Sequence, residues 1–460
     1  MTTTDETTVL AQKAKTASHV LQTASPAQKS AALRRIQELL AERKEAVLAA
    51  NKLDLESAEK EVKAGRLSSS LYKRLDLSTG DKYNALLEGV LDVDRLPDPT
   101  GQITLSTKLD NDLDLYRVTC PVGVLLIIFE ARPEVVVQIS CLAIKSGNAV
   151  ILKGGKEATH SNRALFEVLQ EALRTTTPAD LALPAESVQL VSSRDEIATL
   201  LKLDQFIDLA IPRGSKQLVQ YVQSSTRIPV LGHADGLCSV YVDESAHVDK
   251  AVSVTVDSKI NYPAACNAAE TLLVNSNVLS TILPAIARGL IEKGVSLRAD
   301  ERSLSAITSA LSESERTKVT AAKEEDFDTE FLELTMAVKT VDSLQEAVTH
   351  INTHGSHHTD AIVTEDEESA NFFMGRVDAA GTYWNASTRF ADGFRYGFGA
   401  EIGVSTNKTH ARGPVGLEGL VLYKYRLYGK GQGAGMYGEG KRKYLHEQIS
   451  VEEARKRVAQ

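Results

Sequence analysis

The sequence predicts an α/β fold of two parallel-sheet units with a β-hairpin arm. Three observations carry this. Nearly continuous apolar runs of strand length alternate with helical segments from 120 onward, the alternation restarts near 229, and the stretch 102–118 repeats instead with the period of a half-exposed strand. At 460 residues, 43% hydrophobic and 25% charged, the chain has room for about three domains and enough core to fold without disulfide or metal.

Taken in order, Ser25, Pro26 and Gln28 spell a helix start: an N-cap serine, a proline at the first position and a glutamine reaching back as a capping box. Leu33, Ile36, Leu40 and Val47 follow at helical spacing, and a second polar helical stretch runs to about Leu91. Ile103 and Leu105, then Leu113 and Leu115, alternate around Asp110, Asn111 and Asp112, which is a hairpin pattern. Its polar face suits an arm that pairs elsewhere, with another subunit. Buried strands are expected at 122–129, 149–152, 188–191 and 206–211, separated by helices at 161–174, 194–203 and 215–224. The second round gives a strand at 239–242, a helix at 248–260, a strand at 271–274 and helices to about 322. Seven glycines then space 393–419, and six more fall within 429–440. That last stretch is expected to be a flexible tail, closing on a solvated charged helix.

The net charge of -9 speaks against a nucleic-acid or membrane surface, and the longest apolar run, 122–129, is too short to span a bilayer. The first seventeen residues are polar, with acids at Asp5 and Glu6, and only four cysteines occur in the chain. A cytoplasmic chain with reduced thiols is expected. HExxH, CxxC and GxxxxGK[ST] are absent. The GxGxxG at Gly433, Gly435 and Gly438 follows no strand and opens no helix, so it reads as a chance product of the tail. His357 and His358, being adjacent, are expected on opposite faces of a strand, and no metal site is expected.

Cys120, Cys141 and Cys238 lie in or beside apolar stretches and read as small core residues. Cys266 differs: it stands in a loop of small residues after Pro263 and just before a strand, where a nucleophile and a packing residue are both open readings. Lys153, Gly154, Gly155 and Lys156 follow a strand directly, as a phosphate site or as a basic turn.

With these residues assembled, the chain resembles the aldehyde dehydrogenase superfamily and, within it, the γ-glutamyl phosphate reductase family. Val341, Ala347, His350, Ile351, His354, Gly355, Ser356, His358, Thr359, Asp360 and Ile362 fit that family's signature. Further blocks are PVGVLLIIFEARPEVV at 121–136, KSGNAVILKGGKEA at 145–158, NYPAACNAAETLLVN at 261–275 and the segment 385–420.

The resemblance implies a Rossmann-type NADP-binding domain at 1–227 interrupted by an oligomerisation hairpin at 102–118. A catalytic α/β domain at 228–409, an oligomerisation segment at 410–428 and a tail at 429–460 complete it. It implies NADPH-dependent reduction of L-glutamyl 5-phosphate to L-glutamate 5-semialdehyde, with Cys266 forming a thioester and Arg132 or a backbone amide holding the oxyanion. Lys153, Gly214, Ser215 and Glu330 take cofactor positions. Lys156 stands where NAD-preferring relatives often carry a glutamate, which favours NADP(H). Val230 falls where hydrolytic relatives carry their water-activating glutamate. Arg389, Asp392 and His358 are candidate substrate ligands. A homodimer or higher homo-oligomer is expected, with glutamate kinase as a possible partner. The competing readings are a broad oxidising aldehyde dehydrogenase and a catalytically silent partner of that kinase.

Overall fold

The structure is a computed structural model describing residues 3–233 and 235–458. Ser25 caps the helix Pro26–Glu42 through a reciprocal box with Gln28, as the sequence spells it. The helix stops at Glu42, and Val47 belongs to a separate helix, Lys44–Lys63. Leu33, Ile36, Leu40 and Val47 nonetheless share one core.

The arm begins with β1 (Ile103–Asp110) and β2 (Leu113–Pro121), an antiparallel pair turning at Asp112, whose φ of 60° is a left-handed conformation that aspartate tolerates. Next come β3 (Val124–Phe129), β4 (Ala149–Lys153), β5 (Val188–Val191) and β6 (Leu209–Arg213). They form a parallel sheet in the order β5-β4-β3-β6. The strand expected at 206–211 thus starts three residues later, because 204–206 form a turn. The β3 side chains are all buried, which is why that run lacks alternation.

A second sheet follows from β7 (Cys238–Val242), β8 (Ala269–Asn275), β9 (Ser296–Ala299), β10 (Val319–Ala321), β11 (Thr335–Val341), β12 (Thr359–Val363) and β13 (Gly381–Trp384). It is parallel throughout, in the order β10-β9-β11-β8-β7-β12-β13. β9 and β10 interrupt the region to 322 where only helices were expected. A small antiparallel pair, β14 (Gly403–Ser405) and β15 (Gly413–Val415), precedes β16 (Val421–Tyr428), which joins β2, and β17 (Glu447–Gln448), which joins β1.

Two expectations change here. Ile402, Val415, Leu417 and Leu420 pack into the core of the first sheet. The segment expected to be catalytic to 409 and oligomerising from 410 therefore crosses back onto the first-sheet unit and joins the arm only at Val421. The glycine-rich tail straps over the arm instead of trailing free. Tyr437 Oη donates to Asp110 Oδ2 at 2.9 Å, Arg442 pairs with the same carboxylate at 3.2 Å, and Ala454 of the helix Val451–Val458 is fully buried beside β1. Asp110 gives the side chains between the glycines a fixed partner. Among the described residues no helix is long and apolar enough to cross a membrane.

One buried group makes stability depend on pH. Burial, helped by the charges of His354 and Lys339, pushes the His350 imidazole down from 6.5 to about 3. The folded chain keeps it neutral where the unfolded chain would take up a proton. Its contribution is complete above pH 6.5 and is lost on acidification, by about 1.4 kcal/mol per unit between roughly pH 6.5 and 3. His350→Gln is expected to fall less steeply in urea-unfolding free energy over that range, and unchanged slopes would refute the assignment.

Candidate active site

Cys266 is delivered by a sharp reversal. The helix Val248–Ile260 ends, Tyr262 takes a φ of 65°, and Pro263 to Ala268 lead into β8. The thiol therefore stands at the amino end of its strand. In the sheet, β8, β7 and β12 are neighbours running in the same direction, so the segments preceding them converge: Cys266 before β8, Gly236 and Leu237 before β7, His358 before β12. Gly236 lies directly against the backbone of Cys266, so that a Cβ there would come within 3.0 Å of Cys266 O, Cα and C. The Gly236 N–H donates to Glu330 Oε1 at 3.0 Å, the Leu237 N–H to Ser356 Oγ at 2.8 Å, and Cys238 Sγ approaches Cys266 O at 3.4 Å. Thr388 Oγ1 donates to Asn267 O at 2.6 Å, and Asn267 Nδ2 to Ala391 O at 2.9 Å. The Cys266 backbone is thus held on both sides.

The surroundings are cationic and contain unused polar atoms. Arg389 is buried, with its Nε unpaired, and the Cys266, Asp392 and Asp257 side chains lie within electrostatic reach; burial and then Arg395 push its guanidinium below the ordinary arginine value. Arg213, at the end of β6, is lowered first by burial and then by Arg132, with Glu401, Glu134 and Cys266 also close. A cavity of about 450 Å³ is lined by Arg132, Arg213, Asp392, Phe394, Arg395 and Glu401 among others. Burial pushes the Glu401 carboxyl up, and its Oε2 accepts from Gly393 N at 2.7 Å. Asp392 is paired with Arg395.

His358 is fully buried. Its Nδ1 is hydrogen-bonded with Thr359 Oγ1 at 2.9 Å, and its Nε2 has no partner. His357 has a φ of 62° and precedes the strand, so alternation across a strand does not separate the two rings. Instead a ring nitrogen of His358, a ring nitrogen of His233 and the Cys266 sulfur lie within 4.8 Å of one another. His357, whose Nδ1 is hydrogen-bonded with Asp378 O, is not part of this trio.

The residues expected to hold the cofactor lie at or beyond the carboxyl ends of β4 and β6, where parallel sheets commonly take nucleotides. Lys153 closes β4, with Lys156 exposed two residues beyond Gly154. The Asn162 amide nitrogen lies against Gly154, while its Oδ1 is buried without a partner; that acceptor suits a ribose hydroxyl. Ser215 caps the helix Lys216–Ser225, and its N–H donates to Glu130 Oε2 at 3.2 Å. The helix start at Gly214 and Ser215 is therefore filled by a carboxylate of the chain itself. Burial pushes the Glu330 carboxyl up.

Cys266, His358, Arg389 and Glu330 are thus brought together. Arg132 and Asp392 share the adjoining cavity, and Lys153, Lys156, Gly214 and Ser215 lie along the facing sheet edge. Arg213, Gly236, His233 and Glu401 belong to the site and were not anticipated. Glu401 and Arg213 gave a signal only as charges flanking apolar or glycine-rich segments.

A family model described as the aldehyde dehydrogenase family matches residues 1–330. Over 447 residues the chain is 53% identical to a probable γ-glutamyl phosphate reductase of Schizosaccharomyces pombe, spanning 96% of this chain and 97% of that one. The crystal structure of a γ-glutamyl phosphate reductase from Thermotoga maritima is 37% identical with a TM-score of 0.87, over 93% of this chain and 99% of that one. An engineered glycolyl-CoA reductase with bound NADP+ shares the fold at 13% identity and a TM-score of 0.61, over 91% and 96% of the two chains.

Proposed function

The chain belongs to the aldehyde dehydrogenase family, in its γ-glutamyl phosphate reductase branch, and from that membership we propose that it reduces L-glutamyl 5-phosphate with NADPH through a thioester on Cys266. The products are L-glutamate 5-semialdehyde and phosphate, in the second step of proline synthesis from glutamate. The observation that carries the mechanism is the half-exposed Cys266 thiol, fixed against Gly236 and faced by the Arg213 and Arg389 guanidinium groups.

Cys266 Sγ attacks the acyl carbon and phosphate leaves with the C–O bonding pair; the thiol proton passes to a neighbouring imidazole, His358 or His233. The arginines lower the cost of the charge that develops on the oxygens. They also suit a substrate with an anion at each end, a phosphate and an α-carboxylate, while Glu401 suits its ammonium. NADPH supplies the hydride that reduces the thioester carbon. Lys153 and Asn162 would hold its ribose, and Lys156 its 2′-phosphate. Glu157, next in sequence, does not compete for that place, since its carboxylate accepts from Ala131 N. Glu330 anchors the Gly236 loop with one oxygen, leaving the other for the nicotinamide ribose. Val230 packs on the first core and offers no base for water, which lets the thioester last until phosphate returns in the reverse direction.

Oxidation of glutamate semialdehyde with NADP+ is therefore expected to require phosphate or arsenate. Equal rates without either would overturn the acyl-phosphate reading. Lys156→Glu is expected to shift the kcat/KM ratio toward NADH by about ten- to hundredfold, the worth of one charge-assisted contact; an unmoved ratio would remove Lys156 from the cofactor site.

Homo-oligomerisation through the arm is part of the same reading. β17 covers the β1 edge, whereas β16 keeps an open edge with Leu422, Tyr423, Tyr425 and Leu427 exposed. Light scattering that finds only monomer would contradict it. The four free cysteines suit a reducing compartment such as the cytoplasm.

A further inference from the structure

Passing one proton from the Cys266 thiol calls for a single imidazole, yet two, His233 and His358, stand beside the sulfur. We propose that these three side chains form a reversible site for a zinc-type divalent cation, and that its occupancy silences the thiol.

The donors come from three separate parts of the chain and still lie within 4.8 Å of one another. Tetrahedral zinc with sulfur and imidazole ligands holds its donors about 3.3–3.7 Å apart, given metal–ligand bonds of roughly 2.0–2.3 Å. A modest closure of the trio reaches that geometry. Each imidazole is also oriented from behind, as metal-binding imidazoles are. The His233 Nδ1 faces Val404 O at 3.0 Å; a carbonyl can only accept, so Nδ1 carries the proton and Nε2 the lone pair. The His358 Nδ1 is engaged by Thr359 Oγ1, and its Nε2 is a buried atom with no partner in a side chain that is 0% exposed. An orphaned donor or acceptor at that depth points to a ligand.

The donor set also selects the cation. Two nitrogens and a sulfur without a carboxylate favour zinc, cobalt or copper over magnesium and calcium, which take oxygen ligands. Three protein ligands leave the fourth position to water. Arg213 and Arg389 stand close enough to Cys266 to oppose a dication, which makes the site reversible and not structural. Loading exchanges the thiol proton for the metal: the S–H bond breaks, an S–metal bond forms, and the proton leaves to solvent without any redox change.

Binding itself does not depend on the proposed thioester chemistry, whereas the loss of turnover does, so both are measured. Cobalt(II) is titrated into the full-length protein under a phosphine reductant while thiolate-to-cobalt absorption is followed. Zinc, held at fixed free concentrations by a chelator, is titrated against turnover. One cobalt per chain is expected, with the charge-transfer band lost in Cys266→Ser and affinity at least tenfold weaker in His233→Gln, a half-exposed position less prone to unfold the chain than His358. Turnover should fall in step with zinc occupancy and return with excess chelator. Absence of a thiolate band, or a band unchanged in both variants, would overturn the site. A band with undiminished turnover at full occupancy would keep the site and overturn the role of the Cys266 thiol.

Discussion

Cys266→Ser is expected to lower NADPH-dependent reduction of the acyl phosphate by at least about a thousandfold, with the fold and cofactor affinity intact. A serine hydroxyl fits the same space but is a far weaker nucleophile near neutrality, and removing a covalent nucleophile commonly costs three orders of magnitude or more. No other cysteine can substitute. Cys141 is fully buried in the first core, and burial pushes its thiol far up; Cys238 is buried and raised in the same way, and Cys120, raised by burial, lies on the arm. A thiol needs ionisation and access to attack; Cys141 and Cys238 lack both, and Cys120, though partly exposed, is raised and sits on β2 of the arm. The check is a single turnover with limiting NADPH, followed by mass spectrometry of the acid-quenched protein. The native chain should carry a glutamyl adduct on the peptide holding Cys266, and the variant none. A variant keeping a tenth of native turnover would sink the thioester route.

What the sequence made legible was what local physics determines. The Ser25–Gln28 box is a contact between neighbours three residues apart, and β3 and β4 announce themselves because burial on both faces demands an unbroken apolar run. The hairpin was legible from its alternation around Asp110–Asp112, but not its buried face: Ser106, Asp110, Tyr116 and Val118 are buried while Leu105 is exposed. β9 and β10 were not, since four and three residues are too few to show any period. β11 and β12 hide behind buried polar residues, Thr335 and Thr340 in one, Thr359 and Asp360 in the other; Thr340 and Asp360 are satisfied by Asp300 and Ser239, elsewhere in the fold.

The site divides along the same line. Cys266 could be suspected from its small neighbours and identified by resemblance, but its companions depend on strand order. Gly236, Cys266 and His358 meet because β7, β8 and β12 are adjacent and parallel, a fact that no spacing along the chain encodes. Lys153 and Arg213 stand at carboxyl ends in the first sheet, where chemistry is usually expected, while the Cys266 thiol sits at the amino end in the second. The two sheets present opposite ends to one cleft. His233, in the crossover between them, is 125 residues from His358, so the apposition of the rings, 5.3 Å between centroids, became visible only in three dimensions.

Gly236→Ala is the substitution by which this packing can be tested without touching a reacting atom. Its φ lies outside the left-handed region, so alanine meets no backbone strain, and the whole effect is steric. The added carbon would fall within 3.0 Å of three backbone atoms of Cys266. Backbone cannot swing aside as a side-chain tip does. Either the Cys266 loop moves or the Gly236 segment does, and the latter is tied by the hydrogen bonds to Glu330 and Ser356. A displacement of about 1 Å at the nucleophile costs on the order of a hundredfold in rate. The expected result is therefore a roughly hundredfold fall in kcat, with a smaller change in the dissociation constant for NADPH measured by fluorescence. Gly433→Ala, at a position with open space around it, should leave both unchanged. If Gly236→Ala retained native kcat, Cys266 would not be held by the contact with Gly236, and the positioning role of the Glu330 hydrogen bond would fall with it.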